Sequence, residues 1–164
     1  LCCPDDWTAA ASSGLRKNTS LRELKVDCLL EPTAINPILT SLRDHPHLRK
    51  LCLRGHADKL SGLETVLSSA TSKITELEIQ RSYGSPAVIG LTPVLQALGR
   101  RPTLTKLGVR SCPLGRDDAS LLCVALCNMP SLQSLILANN ALGSAELAEL
   151  ALALYHNTSI KMLD

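Results

Sequence analysis

Apolar positions recur along the chain in a fixed phrase. An aliphatic residue stands at the first, fourth and sixth places of Leu21-Leu24-Val26, Leu48-Leu51-Leu53, Ile74-Leu77-Ile79, Leu104-Leu107-Val109 and Leu132-Leu135-Leu137. A sixth copy begins at Ile160 and reaches Leu163 before the sequence stops at Asp164. Successive starts lie 27, 26, 30, 28 and 28 residues apart. Self-similarity at such a period marks a repeat architecture built from one supersecondary unit. Within each phrase the apolar residues alternate, which is the period of a strand with one buried face.

After each phrase the apolar spacing changes to threes and fours. Ile35, Ile38 and Leu42 share one helical face, as do Leu63 with Leu67, and Leu91, Val94 with Leu98. Ala119, Leu122 and Leu126, then Leu147, Leu150 and Leu154, complete the set. Each stripe predicts a helix with one apolar side. The helices are expected to open at Pro32-Thr33, Ser61-Gly62, Pro86, Gly115 and Gly143-Ser144, where turn and cap residues gather. They are expected to close near Asn18, His45-Pro46, Thr71-Ser72, Arg101-Pro102, Asn128 and Asn157. Asn tolerates the left-handed conformation common at helix ends, and Pro cannot continue a helix.

One strand and one helix per unit cannot bury their apolar sides alone, so the units must stack. Residues 5–17 read as a helix with no strand before it, and the sixth phrase has no helix after it. The expectation is a single repeat domain over 1–164, about five full repeats with partial ones at both ends, cut from a longer array. Trp7 would then pack onto an upstream unit.

Composition narrows the class. Hydrophobic residues make up 45% of the 164, too many for a disordered chain. Aromatics are 2% with no Phe, so the core is built from Leu, Ile, Val and Ala. A net charge of +2 gives no strong claim on nucleic acid or an anionic membrane. Residues 119–145 carry no charge, but Asn128, Pro130, Asn139, Asn140 and Gly143 interrupt them, so they read as helix, turn and strand, not a membrane span. The cysteines at 2, 3, 28, 52, 112, 123 and 127 are odd in number and widely spaced. They read as reduced thiols of an intracellular protein, cytoplasmic or nuclear.

The run Leu132 to Leu142, followed by Gly143 and a helix ending at Leu154-Tyr155-His156-Asn157, resembles a leucine-rich repeat of the ribonuclease-inhibitor type. Leu104 to Leu114, with Cys112 in the Asn/Cys place, is a second good match. The resemblance implies a right-handed α/β solenoid, a horseshoe segment with parallel strands on the concave face and helices on the convex face. It also implies that Asn140 and Cys112 satisfy main-chain groups in the turn after the strand. Leu29, His56 and Ser82 hold that place in the first three repeats, where the pattern is worn. Relatives of this kind include sensor regions of NOD-like receptors, the Ran GTPase-activating protein and the tonsoku-like scaffold.

Candidate chemistry is sparse. Cys123 and Cys127 lie four apart on a helix, but no Cys or His pair completes a zinc set and Leu122 and Leu126 share the stripe, so both read as small apolar residues on or beside the core face. No Ser/His/Asp or Cys/His set converges, and no Gly-rich phosphate loop occurs. Asn18-Thr-Ser and Asn157-Thr-Ser are glycosylation sequons at one repeat position, more simply read as helix stops. The concave strand face carries the variety a partner could read: Arg22, Lys25, Arg49, Lys50, Arg54, Glu76, Glu78, Arg81, Lys106 and Arg110. Cys52, Gln133, Ser134, Ile136 and Ala138 are expected to point outward with them, and Lys50 and Lys106 to pair with Glu76. The expected function is a non-enzymatic recognition or scaffold module without cofactor or metal. Its partner would be a protein with an acidic patch, beside neighbouring domains of the same longer chain, with no need of nucleic acid or membrane. The alternatives are a sensing or autoinhibitory region of an innate immune receptor and a regulator of a small GTPase.

Overall fold

Helices and short strands alternate in the computed structural model, which describes residues 6–27, 32–55, 60–81 and 91–164. They are α1 (Asp6–Lys17), β1 (Glu23–Asp27), α2 (Pro32–Thr40), β2 (Lys50–Gly55), α3 (Ser61–Ser68), β3 (Glu76–Arg81), α4 (Thr92–Leu98), β4 (Lys106–Arg110), α5 (Arg116–Cys127), β5 (Ser134–Ile136), α6 (Ser144–His156) and β6 (Met162–Leu163). The strands form one sheet in chain order, every neighbouring pair parallel. Parallel neighbours need a crossover, and here a helix supplies each one.

Register locks the repeats. Leu24, Leu51, Leu77, Leu107, Leu135 and Leu163 form one row across the sheet, and Val26, Leu53, Ile79 and Val109 form the next. These rows meet Leu39, Leu63, Leu67, Leu95, Leu98, Leu122 and Leu126 of the helices in one continuous core. Burying each such side chain contributes roughly 1.5–3 kcal/mol. At the ends the layers are open. Met162 and Leu163 are exposed, Leu24 and Val26 only half-buried, and half-buried Trp7 lines an apolar hollow with Leu15 and Ile38. Leu147 departs from its expected place on the core stripe and is 51% exposed. Its counterpart one repeat back, Ala119, is buried in α5, which packs against both α4 and α6, whereas among the described elements α6 packs against α5 alone of the helices.

Main-chain bonds extend the stacking one residue ahead of the sheet. The Arg22 carbonyl accepts from the amides of Arg49 (2.8 Å) and Lys50 (3.0 Å), and the carbonyls of Arg49, Thr75, Thr105 and Gln133 repeat the arrangement with the next unit. Past the strand, the eighth place of the phrase is left-handed in three repeats: Gly55 (φ 145°), Ser111 (φ 55°) and Asn139 (φ 61°). Asn140 follows, buried, and does what the resemblance implied. Its Nδ2 donates to Val109 O (2.6 Å) and Leu137 O (2.8 Å), and its Oδ1 accepts from Cys112 N (2.8 Å). Cys112 donates its Sγ–H to Arg110 O at 3.3 Å. Leu29, His56 and Ser82 lie outside the described residues.

The helix ends correct one expectation. Asn128 (φ −99°) and Asn157 (φ −95°) are not left-handed. They work through their side chains, Asn128 donating to Val124 O and Asn157 donating to Leu126 O and Met129 O. Three residues ahead of the first, second and sixth phrases, Asn18, His45 and Asn157 play one part. The Asn18 and Asn157 carboxamide oxygens and the His45 Nδ1 accept amides two or three residues on. With both Nδ2 hydrogens donated and the residue 8% exposed, Asn157 has no amide free to carry a glycan. The expected helix start at Pro86 lies outside the described residues; the described helix α4 starts at Thr92 with Pro93 in its first turn. Helix α3 draws its cap from the previous repeat, where Asn36 Oδ1 accepts from Gly62 N at 3.0 Å. A Cβ at Gly62 would stand 2.5 Å from Asn36 O and 2.9 Å from Leu39 Cβ, so only glycine allows this helix approach.

Candidate recognition surface

Alternation along each strand turns one set of side chains to the helices and the other to the open face of the sheet. Register stacks the second set into three rows. The first reads Glu23, Lys50, Glu76, Lys106, Ser134 and Met162, the next Lys25, Cys52, Glu78, Gly108 and Ile136, and the third Asp27, Arg54, Gln80 and Arg110. Neighbours in a row stand about 4.8 Å apart. The first row therefore alternates in charge over four repeats.

Ion pairs knit the rows. Lys50 Nζ lies 3.1 Å from Glu23 Oε1, and Lys25 Nζ lies 3.5 Å from the same oxygen. The Lys50 contact holds the Glu23 carboxyl below its usual range, and Glu23 in turn raises Lys50. Glu76, expected as the partner of Lys50, stands beside it in register and adds through-space attraction, but the contact goes to Glu23 on the other side. Arg54 reaches Asp27 at 4.0 Å. Glu78 leans over the next strand, where its Cγ would be 3.1 Å from a Cβ at Gly108, and its Oε1 lies 3.5 Å from Arg110 Nε. Arg110 Nη2 also holds Asp164 at 3.5 Å.

The ten expected site residues do not all share this face. Lys25, Lys50, Arg54, Glu76, Glu78, Lys106 and Arg110 do. Arg22 and Arg49 precede their strands, in the alternation of Leu24 and Leu51, and stand exposed at the helix-to-strand edge; the Arg49 guanidinium donates to Lys73 O at 3.3 Å. Arg81 ends β3 opposite Gly55, half-buried and close enough to act on the Cys112 thiol. Cys52 and Ile136, expected outward with water access, are 2% and 4% exposed. Long neighbours in a tightly spaced row shield shorter side chains: Lys25, Arg54 and Glu78 surround the Cys52 thiol. The carboxylates Glu23, Asp27 and Asp164 complete the surface. Alternation alone marks Glu23 and Asp27, while Asp164 is brought in by the sixth strand.

The described cysteines are unpaired. Burial pushes the Cys52 thiol up and carries Cys112 up to about 11. Cys127, expected on or beside the core, is exposed, and Cys123 is half-buried in the groove between α5 and α6. Among the described residues no group of three or more His, Cys, Asp or Glu is placed to hold a metal ion, and no helix is long and apolar enough to cross a membrane.

No family model matches the chain. Over 114 residues, 65% of the chain, it is 34% identical to ribonuclease inhibitor of Sus scrofa. The match spans 25% of that curated relative. Among solved structures, the tropomodulin C-terminal domain of Caenorhabditis elegans superposes with a TM-score of 0.66, covering 92% of both chains at 15% identity. An identity that low speaks to the fold alone. Together with the observed sheet and helices, these likenesses make the chain an α/β leucine-rich-repeat solenoid, a fold suited to protein interaction. Its repeats resemble those of ribonuclease inhibitor in sequence.

Proposed function

We propose that the chain is a protein-recognition module that engages a partner protein through the open, concave face of its sheet, without catalysis or cofactor. The alternating row Glu23, Lys50, Glu76 and Lys106 is the observation that carries this reading. The row presents charges at fixed spacing on a sheet whose other side is core, so little ordering entropy opposes contact. Its Lys50–Glu23 ion pair is open to solvent and can be exchanged for contacts to a partner. Arg54, Lys106 and Arg110, with Arg49 and Arg81 at the edges, would meet acidic groups. The porcine relative is named as an inhibitor of a ribonuclease, hence for acting on another protein. The unpaired, buried Cys52 and Cys112 support an intracellular setting.

The test is affinity capture of partners from cell extract, followed by Arg54→Glu with Lys106→Glu in one chain. Recovery should fall at least tenfold with the circular dichroism spectrum unchanged. Equal recovery would move the site off this face.

A further inference from the structure

The helices α5 and α6 carry apolar side chains on the side turned away from the sheet as well as on the core side. Among the described residues the exposed large hydrophobics are Val124, Leu147, Leu152, Tyr155, Met162 and Leu163, all of them beyond β4. Met162 and Leu163 belong to the last strand of the sheet, and Leu147 to the flank of α6 away from α5. Val124 (60% exposed) and Leu152 (61%) have a different place. They line the groove between α5 and α6, so a helix packed on the other flank of α6 would leave them bare. Single apolar side chains on a surface are ordinary, whereas a contiguous patch marks a contact site.

Val124 forms a ridge between two grooves. The one toward α6 encloses about 310 Å³ and is floored by Cys123, Cys127 and Ala153. The one toward α4 encloses about 440 Å³ and is lined by Leu95, Leu121 and Ala125. Leu152 stands 28 residues after Val124, one repeat on and therefore at the same level. Glu149, Leu152 and His156 follow one another at steps of three and four, which puts them on one stripe of α6. All three line the α5–α6 groove. The acid lies one turn before Leu152 and the imidazole one turn after it. Ser120 Oγ donates to Glu149 Oε2 at 2.8 Å and holds the carboxylate at the groove. The Tyr155 ring meets the His156 ring edge-on, with centroids 5.4 Å apart.

We infer that this convex patch is a self-association site, on which a second copy of the chain docks across a two-fold axis at the level of Val124 and Leu152. A two-fold contact uses the same surface on both copies, so the surface must complement itself. This one does so when reversed. With α6 antiparallel to α6 of the second copy, the Glu149 end of each stripe meets the His156 end of the other, and the apolar middles meet between them. Imidazole N–H donates to carboxylate in either protonation state of the ring. A parallel setting would bring Glu149 against Glu149. The Val124 and Leu152 ridges of one copy then seat in the grooves of the other. Helices of 12 and 13 residues are about 20 Å long and pack about 10 Å apart, so the patch is roughly 20 Å on a side. That is small for an interface, so the dimer is weak and exchanges. It goes beyond the recognition reading and leaves the concave face of each copy open.

Sedimentation equilibrium of the full chain, with thiols kept reduced, tests this over about 5–500 µM, the concentrations at which small interfaces form. The average mass should climb from that of one chain toward that of two. Val124→Glu with Leu152→Glu should remain a single chain throughout, with an unchanged circular dichroism spectrum. Glu149→Lys should weaken association at least tenfold. Adding His156→Glu to that variant exchanges the two ends and should bring association back to within threefold of the original. Arg54→Glu with Lys106→Glu should associate as the unaltered chain does, which separates this surface from the concave one. A single chain at every concentration overturns the inference, and so does equal association in the Val124/Leu152 variant. Failure of the exchanged variant to recover rejects the antiparallel two-fold, as does growth past two chains. Flotation of the single chain with phosphatidylcholine vesicles, lost in the Val124/Leu152 variant, would assign the patch to lipid instead.

Discussion

Replacing Asn140 by Ala tests the turn that joins the fourth and fifth repeats. Asn140 is 2% exposed and holds three main-chain groups: the Cys112 amide and the carbonyls of Val109 and Leu137. The variant leaves all three without this partner in a site closed to water. Each buried unmatched group costs about 1–3 kcal/mol. Carbonyls keep a second lone pair, so the lower half of that range applies to two of the three. The expected loss is about 3–7 kcal/mol, a large part of the ~5–15 kcal/mol that holds a domain folded. Urea unfolding followed by far-ultraviolet ellipticity measures the total. Native-state amide exchange locates it, since ~3 kcal/mol corresponds to about a hundredfold faster exchange at the Cys112 amide. The Leu63 amide, bonded to Leu60 O in another repeat, should exchange as before. Asn140→Cys should lose less, because Cys112 fills the equivalent place with one sulfur hydrogen bond. A loss under about 1 kcal/mol with the Cys112 amide still protected would refute the reasoning.

Gly62→Ala forces a methyl against Asn36 O and Leu39 Cβ and should cost at least about 1–3 kcal/mol in urea unfolding, whereas Gly14→Ala, where a Cβ meets nothing, should be neutral or stabilising. Hydroxyl donors from Thr71 and Ser69 hold the Asp44 carboxyl below its ordinary 3.8. A depressed folded value means a contribution present above 3.8 and lost as pH falls through the lower folded value. Asp44→Asn should therefore lower the melting temperature at pH 7, by an amount that shrinks as both proteins are taken below pH 3.8; a gap independent of pH would contradict this. Iodoacetamide at pH 8 should label exposed Cys127 and spare Cys52 and Cys112 until urea is added, read by peptide mass mapping, because a buried thiol raised to about 11 offers almost no thiolate. Labelling of Cys112 at the Cys127 rate would show that the core layer opens readily.

The repeat period, the strand-helix unit and the parallel order were legible because each rests on spacing, and spacing survives substitution of one aliphatic residue for another. The role of Asn140 was legible for the same reason. What spacing could not show was pairing between units. Glu23 stands 27 residues from Lys50, and Asp164 stands 54 from Arg110, so both ion pairs exist only once register is set. Exposure also depends on neighbours across the sheet. Cys52 has the right parity for water and is buried because Lys25 and Glu78 flank it. Arg22 and Arg49 show the complementary limit, since the phrase assigns them to a strand that begins one residue later.

The bonds ahead of the sheet run mainly through main chain: one carbonyl per repeat takes two amides of the next, and the Thr75 and Thr105 hydroxyls add to it in two repeats. The amide bonds of that ladder ask for no particular side chain, and the place is held by Arg22, Arg49 and Lys161 in three repeats and by Thr75, Thr105 and Gln133 in the others. Attachment of one unit to the next is thereby separated from the chemistry shown along that border. The border can be rewritten letter by letter, from basic at Arg22 and Arg49 to uncharged at Thr75, Thr105 and Gln133 and back to basic at Lys161, while the spine that carries it stays the same.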